Sequence, residues 1–262
     1  MAAMTLSAQE KVDIPGPNGN LSAVIDCPQL SDGQKVPMVV VCHGFTGRKD
    51  DKFLETISDS LKAEGIASIR FDFDGHGHSG GRFEDMTVPK EIADAMTVLN
   101  YVHSLPYVSK VGMVGHSQGG VVTAMTAGTL GDQTVNAVAL LAPAAVLRDD
   151  ALRGTVMGRT YNPHDVPDTG IPLWGGLTLG KDYVLTAQTL PIYDTAKGYK
   201  GPAMIAHGTY DTVVPYTYGE RFHELWPESE LILMPEVDHG FSNHYAETAA
   251  LVAKFMKEKL LP

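Results

Sequence analysis

The stretch Gly115-His116-Ser117-Gln118-Gly119-Gly120 has the pattern G-x-S-x-G and lies between an apolar run, Val111 to Gly115, and a helical one. Such a turn lifts a serine hydroxyl above the edge of a sheet, and its glycines let the backbones pass closely. The bland alternative is a glycine-rich turn whose serine only caps a helix. The strand-turn-helix setting favours Ser117 as a nucleophile. A serine hydroxyl is a weak nucleophile until a base removes its proton, so a histidine and an acid that orients it are required further along the chain.

For a serine in this setting the chain order is serine, then Asp or Glu, then histidine. Of the ten histidines, His207, His223, His239 and His244 lie late enough to follow the candidate acid's strand or a later element. His239 follows the strand-like Leu231 to Met234 through Pro235-Glu236-Val237-Asp238, the loop position a base needs. His207 shares a loop with the candidate acid and reads as structural, His223 falls within a helix, and His244 falls inside the last helix. The acid is Asp211, in the segment after Ala203-Met204-Ile205-Ala206. A turn aspartate bonding its own backbone is the competing reading. Asp238 is a rival acid, but neighbours on one loop rarely face each other as the pair must.

The oxyanion formed during attack needs donors already in place. The N–H of Gln118, next after the nucleophile, is one. The second is assigned to Phe45, in the loop His43-Gly44-Phe45-Thr46-Gly47, where Gly44 permits close approach and His43 anchors the turn. Asp72-Phe73-Asp74-Gly75-His76-Gly77-His78 looks like a metal cluster, yet no distant ligand pattern completes a shell. It is read as a hydrogen-bonded loop at the site's rim, and neither a metal nor another cofactor is expected.

The elements that must hold these residues alternate. Two short strands, Glu10 to Ile14 and Asn20 to Asp26, precede the buried run Met38 to Cys42. Helices are expected at Asp50 to Glu64, Thr87 to Ser104 (with Ile92, Ala95, Met96, Leu99 and Val102 on one face), Gln118 to Thr129 and about Phe241 to Lys259. Strands are expected at Ile66 to Phe71, Val111 to Gly115, Val135 to Leu141, Ala203 to Ala206 and Leu231 to Met234. This predicts an α/β fold with a mostly parallel sheet covered on both faces, and a site at the carboxyl ends of the strands. Residues 1–262 read as one domain, with a loop-rich cap inserted at about 143–200, rich in proline, glycine and tyrosine and ending in a helix near Tyr183 to Leu190.

Composition narrows the function classes. The net charge of −11 disfavours a phosphate-backbone partner, whose binding depends on a positive surface, so no nucleic-acid partner is expected. No apolar run has the length of a membrane span, and no signal peptide is legible at the start, so a cytoplasmic enzyme without a membrane partner is expected. The two cysteines, Cys27 and Cys42, read as reduced thiols. A homodimer is compatible with such a fold, although no interface is legible.

With these residues in place, the sequence resembles the bacterial feruloyl (cinnamoyl) esterases of the α/β-hydrolase superfamily. The likeness runs through His43-Gly44-Phe45-Thr46, Arg70-Phe71-Asp72-Phe73-Asp74-Gly75-His76-Gly77, the Ser117 motif, Leu141-Ala142-Pro143-Ala144-Ala145, Tyr161-Asn162-Pro163, Leu190-Pro191-Ile192-Tyr193, His207-Gly208-Thr209 and Asp238-His239. It implies the α/β-hydrolase fold, a triad of Ser117, Asp211 and His239, an oxyanion hole of Phe45 and Gln118, and a small aromatic ester as substrate. It also implies that Asp150 and Tyr183, in the cap, meet the phenolic hydroxyl of a hydroxycinnamic acid. The chain departs from the family at Tyr210-Asp211, where two acids are common, and between Gly154 and Gly158, which bears on fine substrate preference. A general carboxylesterase or monoacylglycerol lipase would use the same triad on aliphatic acyl esters, and a non-catalytic binding module would keep only the fold.

Overall fold

The run Val36–Cys42 (β3) is buried along its whole length, which suits a strand covered on both faces. In the computed structural model, which describes residues 9–262, it is a central strand with parallel neighbours on both sides: Ala67–Phe71 (β4) and Val108–His116 (β5). Ala137–Leu141 (β6) pairs parallel with β5. At the near edge, Glu10–Pro15 (β1) and Asn20–Asp26 (β2) form an antiparallel hairpin that joins β4 antiparallel. The reading of the N-terminus as free of a signal peptide rests largely on residues 1–8, which lie outside the described residues.

Helices follow where the periodicity places them. Lys52–Ala63 (α1) buries Phe53, Leu54, Ile57 and Leu61, and Gly65 follows its end with φ +78°. Val88–Ser104 (α2) starts at Thr87, whose side chain accepts the N–H of Lys90 at 3.3 Å. One expectation fails in α2. Ile92 and Met96 are only half-buried, while Glu91, Asp94 and Val98 are buried with Ala95, Leu99 and Val102. The helix is turned so that two carboxyl groups face inward, where they accept hydrogen bonds from Gln118 and from the Asp74 backbone. Apolar spacing cannot anticipate that, because it counts an acidic side chain as solvent-facing.

Gln118–Leu130 (α3) follows β5 directly. The segment expected to be a loop-rich cap holds more regular structure than that. It contains Val146–Arg153 (α4), a hairpin of Thr155–Val156 (β7) and Arg159–Thr160 (β8), and a second of Ile171–Pro172 (β9) and Thr178–Leu179 (β10). Lys181–Gln188 (α5) and Ile192–Ala196 (α6) complete it. The chain then returns to the sheet as Ala203–Gly208 (β11), Thr217–Leu225 (α7), Glu230–Met234 (β12) and Tyr245–Leu260 (α8). β11 lies parallel between β6 and β12, giving eight strands in the order β1-β2-β4-β3-β5-β6-β11-β12.

The last helix begins at Tyr245 rather than near Phe241, so His244 sits at its N-cap and not inside it. Phe241 and Asn243 have positive φ, and Asp238 holds the turn by accepting the N–H of Ser242 at 2.8 Å. Cys27 and Cys42 are free and buried. Among the described residues, no helix is long and apolar enough to cross a membrane.

Candidate active site

Ser117 sits between the end of β5 and the start of α3 with φ 56° and ψ −122°, a conformation that costs energy in a non-glycine residue. The neighbouring glycines allow it. A Cβ on Gly115 would lie 2.1 Å from the Gly119 carbonyl oxygen, and one on Gly119 would lie 2.3 Å from the His43 carbonyl oxygen. The turn is pinned to the adjacent strand end: Ser117 N–H donates to Leu141 O at 2.9 Å, and Ala144 N–H donates to Ser117 O at 3.0 Å.

The structure brings the hydroxyl and the two remote groups together. His239 Nε2 lies 2.9 Å from Ser117 Oγ, and His239 Nδ1 lies 2.7 Å from Asp211 Oδ2. An ionised carboxylate only accepts, so Nδ1 carries the proton and the Nε2 lone pair faces the hydroxyl. Burial alone would raise the Asp211 carboxyl. The donors His207 and His239, with Val214 N–H, outweigh it and hold the group well below the ordinary carboxylate range. Both oxygens are saturated. Oδ1 accepts the N–H groups of Val213 and Val214 at 2.9 and 2.7 Å, and Oδ2 accepts from both imidazoles.

His207, read from sequence as structural, therefore bonds to the candidate acid itself. Its Nε2 lies 3.1 Å from Asp211 Oδ2 and 2.9 Å from Val214 O, which leaves a buried Nδ1 without a partner. His116, inside the serine motif, has no role that the sequence pattern signals. Its Nε2 lies 2.9 Å from the His239 carbonyl oxygen, so it tethers the loop that carries the candidate base. Burial, and then the nearby His239, lower the His116 pKa to about 4, so this imidazole is a neutral donor. Asp238, the rival acid, is occupied with Ser242, and His223 bonds Ser229 Oγ.

Gln118 is the first residue of α3, where backbone N–H groups have no partner within the helix. Across from it, Gly47 N–H closes a turn on Gly44 O, which leaves the N–H of the turn's second residue, Phe45, out of that bond. The turn abuts Ser117, since a Cβ on Gly44 would lie 3.0 Å from Ser117 Cβ. His43 anchors it: Nδ1 lies 2.8 Å from Gly44 O, and Nε2 accepts the Phe73 N–H at 3.1 Å. The arrangement can hold a negatively charged oxygen beside Ser117.

A cavity of about 480 Å³ opens on Ser117, walled by Phe45 and Gln118 from the core and by Leu147, Asp150, Val156, Tyr161 and Tyr183 from the cap, among others. Burial raises the Asp150 carboxyl despite Arg153 nearby. Asp149 does not share its place. It accepts the Tyr218 hydroxyl at 2.5 Å. Tyr183 lines the cavity, but its hydroxyl donates to Gln118 Oε1 at 2.7 Å, so that proton is already engaged. In the Asp72 to His78 loop, Asp72 is ion-paired with the buried Lys49 ammonium at 2.6 Å and accepts the His78 N–H at 2.8 Å. Among the described residues, no group of three or more His, Cys, Asp or Glu side chains is arranged to hold a metal.

The family model described as serine aminopeptidase, S33, matches residues 33–162. The structure of Est1E from Butyrivibrio proteoclasticus with ferulic acid bound is 30% identical and superposes with a TM-score of 0.90, over 96% of this chain and 100% of that one. The chain belongs to the α/β-hydrolase family. The resemblance drawn from its motifs is borne out by that match. A second Est1E structure is 28% identical, with a TM-score of 0.86 over 96% of this α/β-hydrolase and 99% of its relative. DcsB in complex with a substrate analogue, 18% identical with a TM-score of 0.76 over 96% and 100% of the two chains, shares the fold. Among curated relatives, an uncharacterised 31.7 kDa protein of the traX-finO intergenic region of Escherichia coli is 28% identical over 88 residues. Those are 33% of this α/β-hydrolase and 30% of that protein, so the match spans under a third of the relative's length.

Proposed function

We propose that this α/β-hydrolase cleaves carboxylic esters through an acyl-enzyme on Ser117, and that its substrates are esters of hydroxycinnamic acids. The observation that carries the first part is the unbroken chain from Asp211 through His239 to the Ser117 hydroxyl, at 2.7 and 2.9 Å. His239 Nε2 takes the hydroxyl proton as Oγ attacks the ester carbonyl. The oxyanion accepts from the N–H groups of Phe45 and Gln118, and Asp211 stabilises the imidazolium that forms. The imidazolium then protonates the departing alcohol as the C–O bond breaks. Water, deprotonated by His239, attacks the acyl group, and Ser117 leaves with that proton.

The acyl preference is supported by the cavity and by one relative. Its walls combine aromatic and aliphatic side chains with one half-buried carboxyl, Asp150, which suits a flat acyl group bearing a phenolic hydroxyl. Est1E, similar over nearly the whole chain, holds ferulic acid in its structure. The test compares methyl ferulate, chlorogenate, a monoacylglycerol, p-nitrophenyl butyrate and leucine p-nitroanilide at equal concentration. The highest kcat/KM is expected on the first two. A preference for the glycerol or butyrate ester would overturn the acyl assignment, and turnover of the anilide alone would overturn the esterase reading.

A further inference from the structure

We propose that Tyr183, on the cap helix α5, is a positioning residue for the oxyanion hole, acting through the side chain of Gln118 and the ring of Phe45. The proposal rests on Ser117 being the nucleophile of an ester hydrolase. It gives Tyr183 a different task from meeting a substrate hydroxyl.

The residues assigned as oxyanion donors, Phe45 and Gln118, sit on separate elements, and Tyr183 touches both. Its hydroxyl donates to Gln118 Oε1 at 2.7 Å, and its ring centroid lies 5.8 Å from that of Phe45. Gln118 is 2% exposed, and the other end of its amide is fixed as well, with Nε2 donating to Glu91 Oε2 at 2.8 Å. The terminal amide is thus pinned between a core helix and the cap, with both of its polar atoms used. A short side chain whose tip is pinned restrains its own Cα, and the donor N–H belongs to the same residue. Phe45 is held in a similar way: its ring lies edge-on to Phe83, with centroids 5.6 Å apart, and is tilted by 49° to the ring of Tyr183.

The cap is seated firmly enough to serve as this reference. Gly180, at the N-cap of α5, approaches the segment Phe83–Asp85 so closely that a Cβ there would lie 1.9 Å from Glu84 O. Tyr183 itself is 5% exposed. A phenol carries one proton, and here it is engaged with Gln118, so the hydroxyl can meet a substrate only by accepting. The chain Glu91–Gln118–Tyr183 therefore couples the seat of the cap to the donors that stabilise the oxyanion. An acyl group that presses on the Tyr183 ring acts on the hole as well.

The decisive variant is Tyr183→Phe, which keeps the ring and removes the bond to Gln118. It is assayed on methyl ferulate, on methyl cinnamate (which lacks the ring hydroxyl) and on p-nitrophenyl butyrate. Because a misplaced donor loses part of the 10²–10³ that a whole donor supplies, kcat is expected to fall about tenfold on all three esters with KM unchanged. Gln118→Met, of similar shape but unable to bond, should give the same fall, and the double variant should be no worse than either. Gln118→Met also decides the matter if Tyr183→Phe fails to fold. A loss confined to methyl ferulate and expressed in KM would make Tyr183 a substrate contact and overturn the proposal, as would an unchanged kcat. A wild-type protein that cleaves p-nitrophenyl butyrate but neither aromatic ester overturns only the acyl assignment, and the butyrate data still decide the role of Tyr183. A protein inert to all three, with Ser117 unlabelled by a fluorophosphonate, overturns both.

Discussion

Replacing Asp211 by Asn tests the site through a single atom, and the surroundings dictate which way the new amide must turn. Asp211 Oδ1 faces two backbone N–H groups, those of Val213 and Val214 at 2.9 and 2.7 Å. Turning an NH₂ toward them would leave buried donors opposed, at roughly 1–3 kcal/mol for each unsatisfied group, and a backbone N–H cannot reverse its role. His239 can reverse its role by changing tautomer, and His207 can do so for the loss of one bond, to Val214 O, so the Asn nitrogen turns toward the imidazoles rather than toward two backbone donors. His239 then accepts at Nδ1 and carries its proton on Nε2, pointing at the Ser117 hydroxyl instead of ready to take its proton. A base in the wrong tautomer costs about 10⁴ in kcat in serine hydrolases of this kind, or roughly 5.5 kcal/mol. Hydrolysis of p-nitrophenyl butyrate at neutral pH should therefore fall by about that factor, and fluorophosphonate labelling of Ser117 should slow in parallel. Thermal unfolding should remain cooperative. A folded Asp211→Asn variant that keeps more than about a tenth of wild-type kcat/KM would refute the reasoning, because the carboxylate would then not be setting the tautomer.

Three further outcomes follow from the same structure. Ser117→Ala should lose hydrolysis by about 10⁶-fold and all fluorophosphonate labelling while keeping its near-wild-type Tm; residual turnover near wild type would remove Ser117 from the mechanism. Gly119→Ala places a Cβ 2.3 and 2.4 Å from the carbonyl oxygens of His43 and Cys42, both backbone, so it should cost about 2–3 kcal/mol and lower the Tm by roughly 5–10 °C in a thermal melt. Asp94 is buried in α2 beside Asp74, and burial, then that neighbour, raise its carboxyl pKa to about 7. The unfolded carboxyl, at about 3.9, loses its proton first as pH rises, so the contribution to stability is full below pH ~4 and is lost as pH passes through about 7. Asp94→Asn keeps an oxygen for the Asp74 N–H, bonded at 2.9 Å, and should flatten the fall in Tm between pH 5 and 8; an unaltered slope would show that the group does not titrate there.

The amino-acid sequence determined the strands and helices of the central α/β layer and the candidate nucleophile, because both rest on local chemistry. Continuous apolar runs mark strands covered on two faces, as at Met38 to Cys42, and the glycines around Ser117 answer a steric need within one turn. The order of strands and helices then put Asp211 and His239 in loops at the right ends of β11 and β12. The sequence singled out His239 by its loop position, but only the tertiary structure shows it reaching the hydroxyl, since His239 and Ser117 meet across 122 residues through loop conformations that no periodicity encodes. The same holds for His207 on Asp211, His116 on the His239 loop, and Glu91 and Tyr183 on the two polar atoms of the Gln118 amide. Each is a polar side chain whose partner lies on another element. Sequence patterns record whether a residue prefers water, whereas a buried hydrogen bond depends on which groups packing brings within about 3 Å of one another.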